Sequence, residues 1–273
     1  MTTTTKVSQA PCWEDFELVL ASGVDRLLLY GPSGTGKTFA GLTYDVGPGG
    51  AYRLVCTPDM TTADIAGCFM PAKEGFEYLE GAGLRAWKGN GRVGGRLVVD
   101  EVDQASGDVL AQLLAFTDSP ESARFTHPET GEEIRPLSGY SVVLTTNLMD
   151  PDDLPQALRD RFPVALKIDR PHVGGLDLLL PDIRPVAESV IGSENGRGFS
   201  LRGFYAFDKL RTRMSTEHAA RFAFGEGRSE AMLDALRINN LEVGRLDTLI
   251  SLELNDRAIE VAKLERGHEL GRA

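Results

Sequence analysis

The segment LLLYGPSGTGKTFA, residues 27 to 40, passes from an apolar run through a glycine-rich turn into small and apolar residues. Gly31, Gly34 and Gly36 let a backbone bend and approach an anion with no Cβ in the way, so that main-chain N–H groups and a helix start meet negative oxygens. Gly31 to Thr38 satisfies G-x-x-x-x-G-K-[ST], the pattern of a phosphate-binding loop, in the required context of a strand before and a helix after. On this reading Gly31, Pro32, Ser33, Gly34, Thr35, Gly36, Lys37, Thr38 and Phe39 form the cradle. Lys37 is expected to reach the β and γ phosphates as a point charge, and the Thr38 hydroxyl to ligate Mg²⁺.

A second polar signature closes another apolar run. In RLVVDEVD, residues 96 to 103, Asp100 is expected to hold the Mg²⁺ directly or through water, and Glu101 to polarise an attacking water as general base. Adjacent carboxylates at a strand end can also be a solvated cap, but that reading leaves their coincidence with an upstream phosphate loop unexplained. The third signature is VVLTTN, whose Asn147 amide could orient water and contact the γ phosphate. Taken alone, it reads better as an ordinary asparagine turn.

These residues need strands to carry them. Apolar runs at 26–30, 51–56, 95–100, 140–146 and 164–168 are near-continuous and not alternating, the pattern of strands covered on both faces in a parallel sheet flanked by helices. Ligands of such sheets bind beyond the strands' carboxyl ends, where all three signatures fall. After Arg170 the spacing of Leu, Ile, Phe and Ala becomes helical in SLRGFYAFDKLRTRM, SEAMLDALRINNL and RLDTLISLELNDRAIEVAKLER. The Pro- and Gly-rich stretch 170–185 reads as a linker, and GSENGRG, 192 to 198, as a turn.

Composition narrows the choices. With 273 residues the chain can bury one large α/β core plus a smaller appendage. The net charge of -11 disfavours a general nucleic-acid coat. Cys12, Cys56 and Cys68 show no metal-ligand spacing and are expected to be buried, reduced thiols, fitting a cytoplasmic location. No basic leader or apolar run of membrane-spanning length is visible, so no membrane association is expected. The histidines, His127, His172, His218 and His268, stand apart and are expected in loops or on the surface. Ser33 lacks a base partner, so a serine hydrolase is unsupported. Trp87 and the FYAF and RFAF segments could stack bases, but rings at helical spacing are more often core.

The phosphate loop, the Asp–Glu pair and the TTN strand, followed by LPQALRDRF (154 to 162), together resemble the AAA+ ATPases and, within them, the MoxR-like group. The similarity covers most of residues 20 to 215. TPDMTTADIAGCFM resembles the group's segment after the second strand. GFEYLEGAGLRAW resembles its next conserved segment, with Ala82 where proline is usual, which puts Gly81 to Trp87 near an insertion in the second helix. RFTHPETGEEIRP, 124 to 136, looks like the hairpin before the TTN strand.

The resemblance implies ATP as the nucleotide and an αβα sandwich with a five-stranded parallel sheet plus a C-terminal helical lid. Residues 1–22 would be an N-terminal segment with a disordered start, 23–170 the nucleotide-binding core, and 171–273 the lid and a C-terminal helix. It also suggests roles for three arginines. Arg161 of the DRF sequence would reach the nucleotide of a neighbouring subunit, with Arg159 in reserve, and Arg202 of FSLRGF, where Leu201 replaces the usual proline, would contact the γ phosphate from the lid. The implied protein is a homo-oligomer, of hexameric ring type, that remodels or activates a client such as a von Willebrand A (VWA) domain protein. A nucleic-acid motor and a nucleotide-controlled scaffold are the alternatives.

Overall fold

The computed structural model describes residues 9–192 and 198–240. They fall into two compact units, one running to Leu176 and including Val190–Leu201, the other comprising Asp177–Ser189 and the residues from Arg202.

In the first unit α1 (Pro11–Ala21) leads into β1 (Arg26–Tyr30), the phosphate loop and α2 (Lys37–Thr43), followed by β2 (Ala51–Val55) and α3 (Thr62–Ile65). A hairpin of β3 (Gly67–Pro71) and β4 (Phe76–Glu80) precedes α4 (Ala82–Lys88), β5 (Arg96–Asp100) and α5 (Gly107–Phe116). A second hairpin, β6 (Phe125–Thr126) and β7 (Glu133–Ile134), leads to β8 (Ser141–Thr145), α6 (Gln156–Arg161), β9 (Val164–Lys167) and α7 (Val173–Leu176). Five strands form one parallel sheet in the order β2-β5-β8-β1-β9. The αβα sandwich expected from the apolar runs is therefore present. Its central strands are sheathed on both faces: all five residues of β5 are buried, as are four of five in β8 and in β1. On one face Trp13, Phe16 and Ala40 pack with Leu27, Leu29, Val98 and Val143. On the other, Ile65, Leu84, Trp87, Leu113 and Phe116 pack with Leu28, Leu97, Val99 and Leu144.

Two buried arginines fix helices at the strands' amino-terminal edge. Arg96 opens β5 and donates to the carbonyls of Gly41 (3.3 Å) in the last turn of α2 and of Tyr44 (2.5 Å) and Asp45 (2.9 Å) just beyond it. Arg26 opens β1 and donates to Thr117 O (3.0 Å) and Asp118 O (2.9 Å) just beyond α5, its guanidinium 5.1 Å from the Tyr140 ring centroid. Each cation satisfies carbonyls left open at a helix end and sits at the negative pole of the helix.

Several features depart from expectation. Within the N-terminal segment 1–22, Trp13 and Phe16 of α1 are fully buried, and the Trp13 indole donates to Arg170 O (2.9 Å). An eleven-residue helix with only three buried residues among acidic ones gives too few apolar positions to stand out by periodicity. The stretch 170–185 contains the boundary between the two units, as expected of a linker, but it also carries α7 and buried Leu176, Leu179 and Ile183. Of the cysteines, all free, Cys56 is buried but Cys12 and Cys68 are half-buried. His127 is a core residue and not a surface one: its Nδ1 accepts the Glu129 and Thr130 N–H groups at 3.4 Å and its ring meets Tyr78 edge-on. His172 is half-buried between Trp13 and Tyr44. His268, most of the 192–198 turn and the apolar run 246–264 lie outside the described residues. Trp87 is core, stacked on Phe116 at 4.4 Å.

The second unit holds α8 (Arg184–Val190), most of α9 (Leu201–Arg211), α10 (Thr216–Phe224) and a further helical stretch over 226–240. Phe204, Phe207 and Phe224 form its aromatic centre. Arg211 grips both Asp182 oxygens at 2.6 and 2.7 Å.

Replacing Arg96 by Met strips three carbonyls of their donor and leaves the α2 end uncapped. We expect a loss of about 2–3 kcal/mol, the cost of buried acceptors left unmade, read as a lower urea midpoint at unchanged slope.

Candidate nucleotide and metal site

Beyond β1 the chain turns at Gly31, with φ 121°, where an added Cβ would stand 2.8 Å from Ile168 O. At Gly34, φ 77°, an added Cβ would meet Ser200 Cβ at 2.2 Å, and Gly34 O accepts the Leu201 N–H at 3.3 Å. Both positions exclude a side chain through conformation and space together. Gly36, also left-handed, caps α2 and lies against the Trp13 ring and His172 Cβ. The loop is thus held from outside by α1, the residues after β9 and the start of α9.

The residues singled out at the strand tips converge inside this loop. Lys37 is buried and donates to Gly31 O (2.8 Å), Pro32 O (2.7 Å) and Asn147 Oδ1 (3.3 Å). Thr38 donates its hydroxyl to Asp100 Oδ1 at 2.7 Å. Asp100 is the hub of the site. The same Oδ1 accepts the Thr145 hydroxyl at 2.5 Å, and Oδ2 pairs with Arg53 at 2.5 Å. Burial by itself would raise the Asp100 carboxyl, but the Thr145 and Thr38 hydroxyls and the Arg53 guanidinium outweigh it and hold the group below the ordinary carboxylate range. Burial pulls the Lys37 ammonium down to about 8, against the attraction of Asp100 and Asp103.

Glu101 follows in the left-handed region, φ 55° and ψ 47°, with its side chain exposed. A non-glycine residue held there is unusual. Thr146 donates to Asp103 Oδ1 at 2.6 Å and its hydroxyl accepts the Leu148 N–H at 3.1 Å, shaping the turn on which Asn147 stands exposed. Within the loop Ser33 is exposed and Thr35 buried; the Phe39 ring is exposed.

The hard oxygens of Thr38 and Asp100, adjacent to one another and to Lys37, suit a magnesium ion that takes its remaining ligands from phosphates and water. Among the described residues no group of three or more His, Cys, Asp or Glu side chains could cage a metal by itself. Cys56, beside these carboxylates, is no nucleophile: burial first, then Asp103, Asp100 and Glu101, push its thiol up to about 12.

The arginines stand apart from this cluster. Arg159 pairs with Asp152 at 2.5 Å, while Arg161 donates to Ala157 O (3.0 Å) and lies 3.8 Å from Asp118. Among the described residues no hydrogen bond or ion pair joins either to the loop or to Asp100. Arg202 is an exposed residue of α9 in the second unit.

Sequence reasoning passed over Arg53, Thr145 and Thr146. Both threonines lie in the TTN run and were available as hydroxyl donors. Arg53 left only the signal of a charge inside an apolar strand, and its relation to Asp100 depends on β2 pairing with β5 in the register Val55↔Asp100.

Lys37 yields a pH prediction. Its depressed value means that between about pH 8 and the ordinary 10.5 the unfolded chain holds the proton more tightly than the fold does. Its contribution to stability therefore improves as pH rises through that window, whereas its attraction for phosphate disappears. Affinity for a fluorescent nucleoside triphosphate should fall above pH 8 by up to about tenfold per pH unit, and Lys37→Met should bind weakly with little pH dependence.

Comparison with known proteins agrees with this geometry. Residues 26–162 match the family model described as AAA domain (dynein-related subfamily). An uncharacterized protein of Staphylococcus aureus (strain bovine RF122 / ET3-1) is 31% identical over 195 residues, covering 65% of this chain and 70% of the relative. Its counterpart in strain NCTC 8325 / PS 47 is 30% identical over the same shares. In fold, the chain is similar to the crystal structure of NtrX from Brucella abortus, with a TM-score of 0.52 at 15% identity over 77% of this chain and 52% of that one, so it spans about half of that structure. The matched residues include the glycine loop, the carboxylate at the tip of β5 and the amide beyond β8, and the chain thus belongs to the AAA domain family of the dynein-related subfamily.

Proposed function

We propose that the protein is a Mg²⁺-dependent ATPase that hydrolyses the β–γ phosphoanhydride of ATP as an oligomer and uses the cycle to remodel a partner protein. The observation that carries this reading is the hydrogen-bonded set Lys37, Thr38, Asp100 and Asn147 inside the glycine loop. A passive holder of nucleotide needs the loop and Lys37. Hydrolysis needs in addition a carboxylate free to take a proton, and Glu101, exposed at the head of the turn after β5, has that freedom.

Each side chain has a distinct task. Main-chain N–H groups of the loop and the Lys37 ammonium bind and orient the β and γ oxygens. Thr38 and Asp100 would hold magnesium, which when bound would supply charge neutralisation on the phosphate oxygens. Asn147 orients the attacking water and Glu101 accepts its proton. Arg161 is assigned to the phosphoryl charge of a neighbouring protomer, with Arg159 as the second candidate, and Arg202 to coupling the nucleotide to the helical unit. Support for a finger acting in trans comes from the engagement of both α6 arginines outside their own loop. A client of VWA type, and membership in the MoxR-like group, rest on the resemblance of the sequence motifs.

Glu101→Gln should keep nucleotide affinity and lose about 10²–10⁴-fold in turnover, measured by phosphate release against fluorescent-nucleotide titration. Mixing that variant with Arg161→Ala should restore part of the activity once subunits exchange, because some interfaces then carry both an intact base and an intact finger; no recovery would remove Arg161 from the trans role. Pull-down with the ATP-trapped Glu101→Gln protein identifies the client, and stimulation by DNA in place of a protein would redirect the reading to a nucleic-acid motor.

A further inference from the structure

Arg53 has no part in the reading above, yet it makes the only ion pair to the carboxylate at its centre among the described residues: Nη2 stands 2.5 Å from Asp100 Oδ2. The two oxygens of Asp100 are unequally occupied. Oδ1 takes two hydroxyls, from Thr38 on α2 and Thr145 on β8, whereas Oδ2 takes the guanidinium. The hydroxyls anchor the carboxylate from the buried side. Arg53 comes from the open side: β2 is an edge strand, and the arginine side chain is 46% exposed against 10% for Asp100.

The placement follows from register. Arg53 pairs with Val98, two residues before Asp100 on β5, so Arg53 and Asp100 lie on the same face of the sheet as diagonal neighbours. Val98 packs with Ala40 and Trp13, which makes this the face that carries α2 and Thr38. Beside Arg53 opens a cleft of about 440 Å³ lined by Arg53, Val55, Thr57, Asp59, Met60 and Asp64. A guanidinium leaving Asp100 thus has acidic side chains within its own cleft and is not stranded.

Resting on the ATPase reading, we propose that Arg53 is the resident counter-cation of Asp100, a positioning residue that holds the carboxylate charged and aimed before the nucleotide arrives and that an incoming divalent cation must displace from Oδ2. A cation of like sign beside the metal position opposes metal binding. Arg53 therefore sets the affinity for the divalent ion, and its loss tightens that affinity. A residue that only braced the site would do the reverse, because freeing Asp100 to swing would weaken the ion's hold. The two roles differ in sign.

The test is Mn²⁺ titration of the full-length protein, followed by electron paramagnetic resonance, in the presence of a non-hydrolysable ATP analogue. Wild type is compared with Arg53→Met and Arg53→Lys, and binding of a fluorescent ATP analogue in EDTA is measured in parallel. Arg53→Met should bring the half-saturating Mn²⁺ concentration down by roughly threefold or more, a shift of the size that a partly exposed ion pair commands, while Arg53→Lys, which keeps the charge, stays near wild type. Analogue binding in EDTA with an unchanged or raised half-saturation in Arg53→Met overturns the role given to Arg53 and leaves the ATPase reading standing. Failure of every protein, wild type included, to bind the analogue overturns the ATPase reading itself and the proposal with it.

Discussion

The site depends on one carboxylate. Asp100 joins the helix after the glycine loop, through Thr38, to the strand that carries Asn147, through Thr145, and both to edge strand β2, through Arg53. A buried carboxylate is costly unless its lone pairs are used, and here two hydroxyls and a guanidinium use them. The same contacts that make burial tolerable also set the distance between α2 and β8. Lys37 depends on this spacing, since it reaches Asn147 from α2 across the gap that Asp100 spans.

The polarity of the sheet explains why polar groups gather at one edge and buried arginines at the other. In a parallel sheet flanked by helices, strand tips and helix starts share an edge, so open N–H groups accumulate there and attract anions. Helix ends collect at the opposite edge with open carbonyls, and Arg96 and Arg26 meet them from the first residues of β5 and β1. These arginines lie far from the chemistry in function but serve it in mechanics. By fixing the end of α2, Arg96 fixes the helix whose start presents Lys37 and Thr38. Arg26 does the same for α5, and it also holds the backbone of Asp118, whose carboxylate lies 3.8 Å from the Arg161 guanidinium.

A division of labour follows within the protomer. The groups assigned to binding, Lys37, Thr38 and Asp100, are hydrogen-bonded within the protein and at least half-buried, which would lower the ordering cost of taking up a polyphosphate. Groups assigned to the chemical step are exposed: Glu101 at the head of a left-handed turn, Asn147 on a tight turn, Arg161 on a partly exposed helix end. Exposure suits groups that complete their geometry only against substrate or a neighbouring subunit.

Local signals determined much of this molecule. The glycine loop, the five apolar runs and the polar residue closing each of two of them could be read in order along the chain, because a phosphate loop and a sheathed strand are both built from consecutive residues. Lys37, Thr38, Asp100 and Asn147 were identifiable for the same reason, each marking a strand tip or a helix start. Only the tertiary structure decided the rest. Arg53 gains its meaning from the pairing of β2 with β5, strands separated by forty residues, and Arg96 from the carbonyls of a helix that precedes it by fifty. The burial of Trp13 and of His127 is likewise settled by packing between elements distant in sequence. Sequence carries contacts within an element through periodicity, but ion pairs and caps between elements depend on register and on helix ends, which no short window contains.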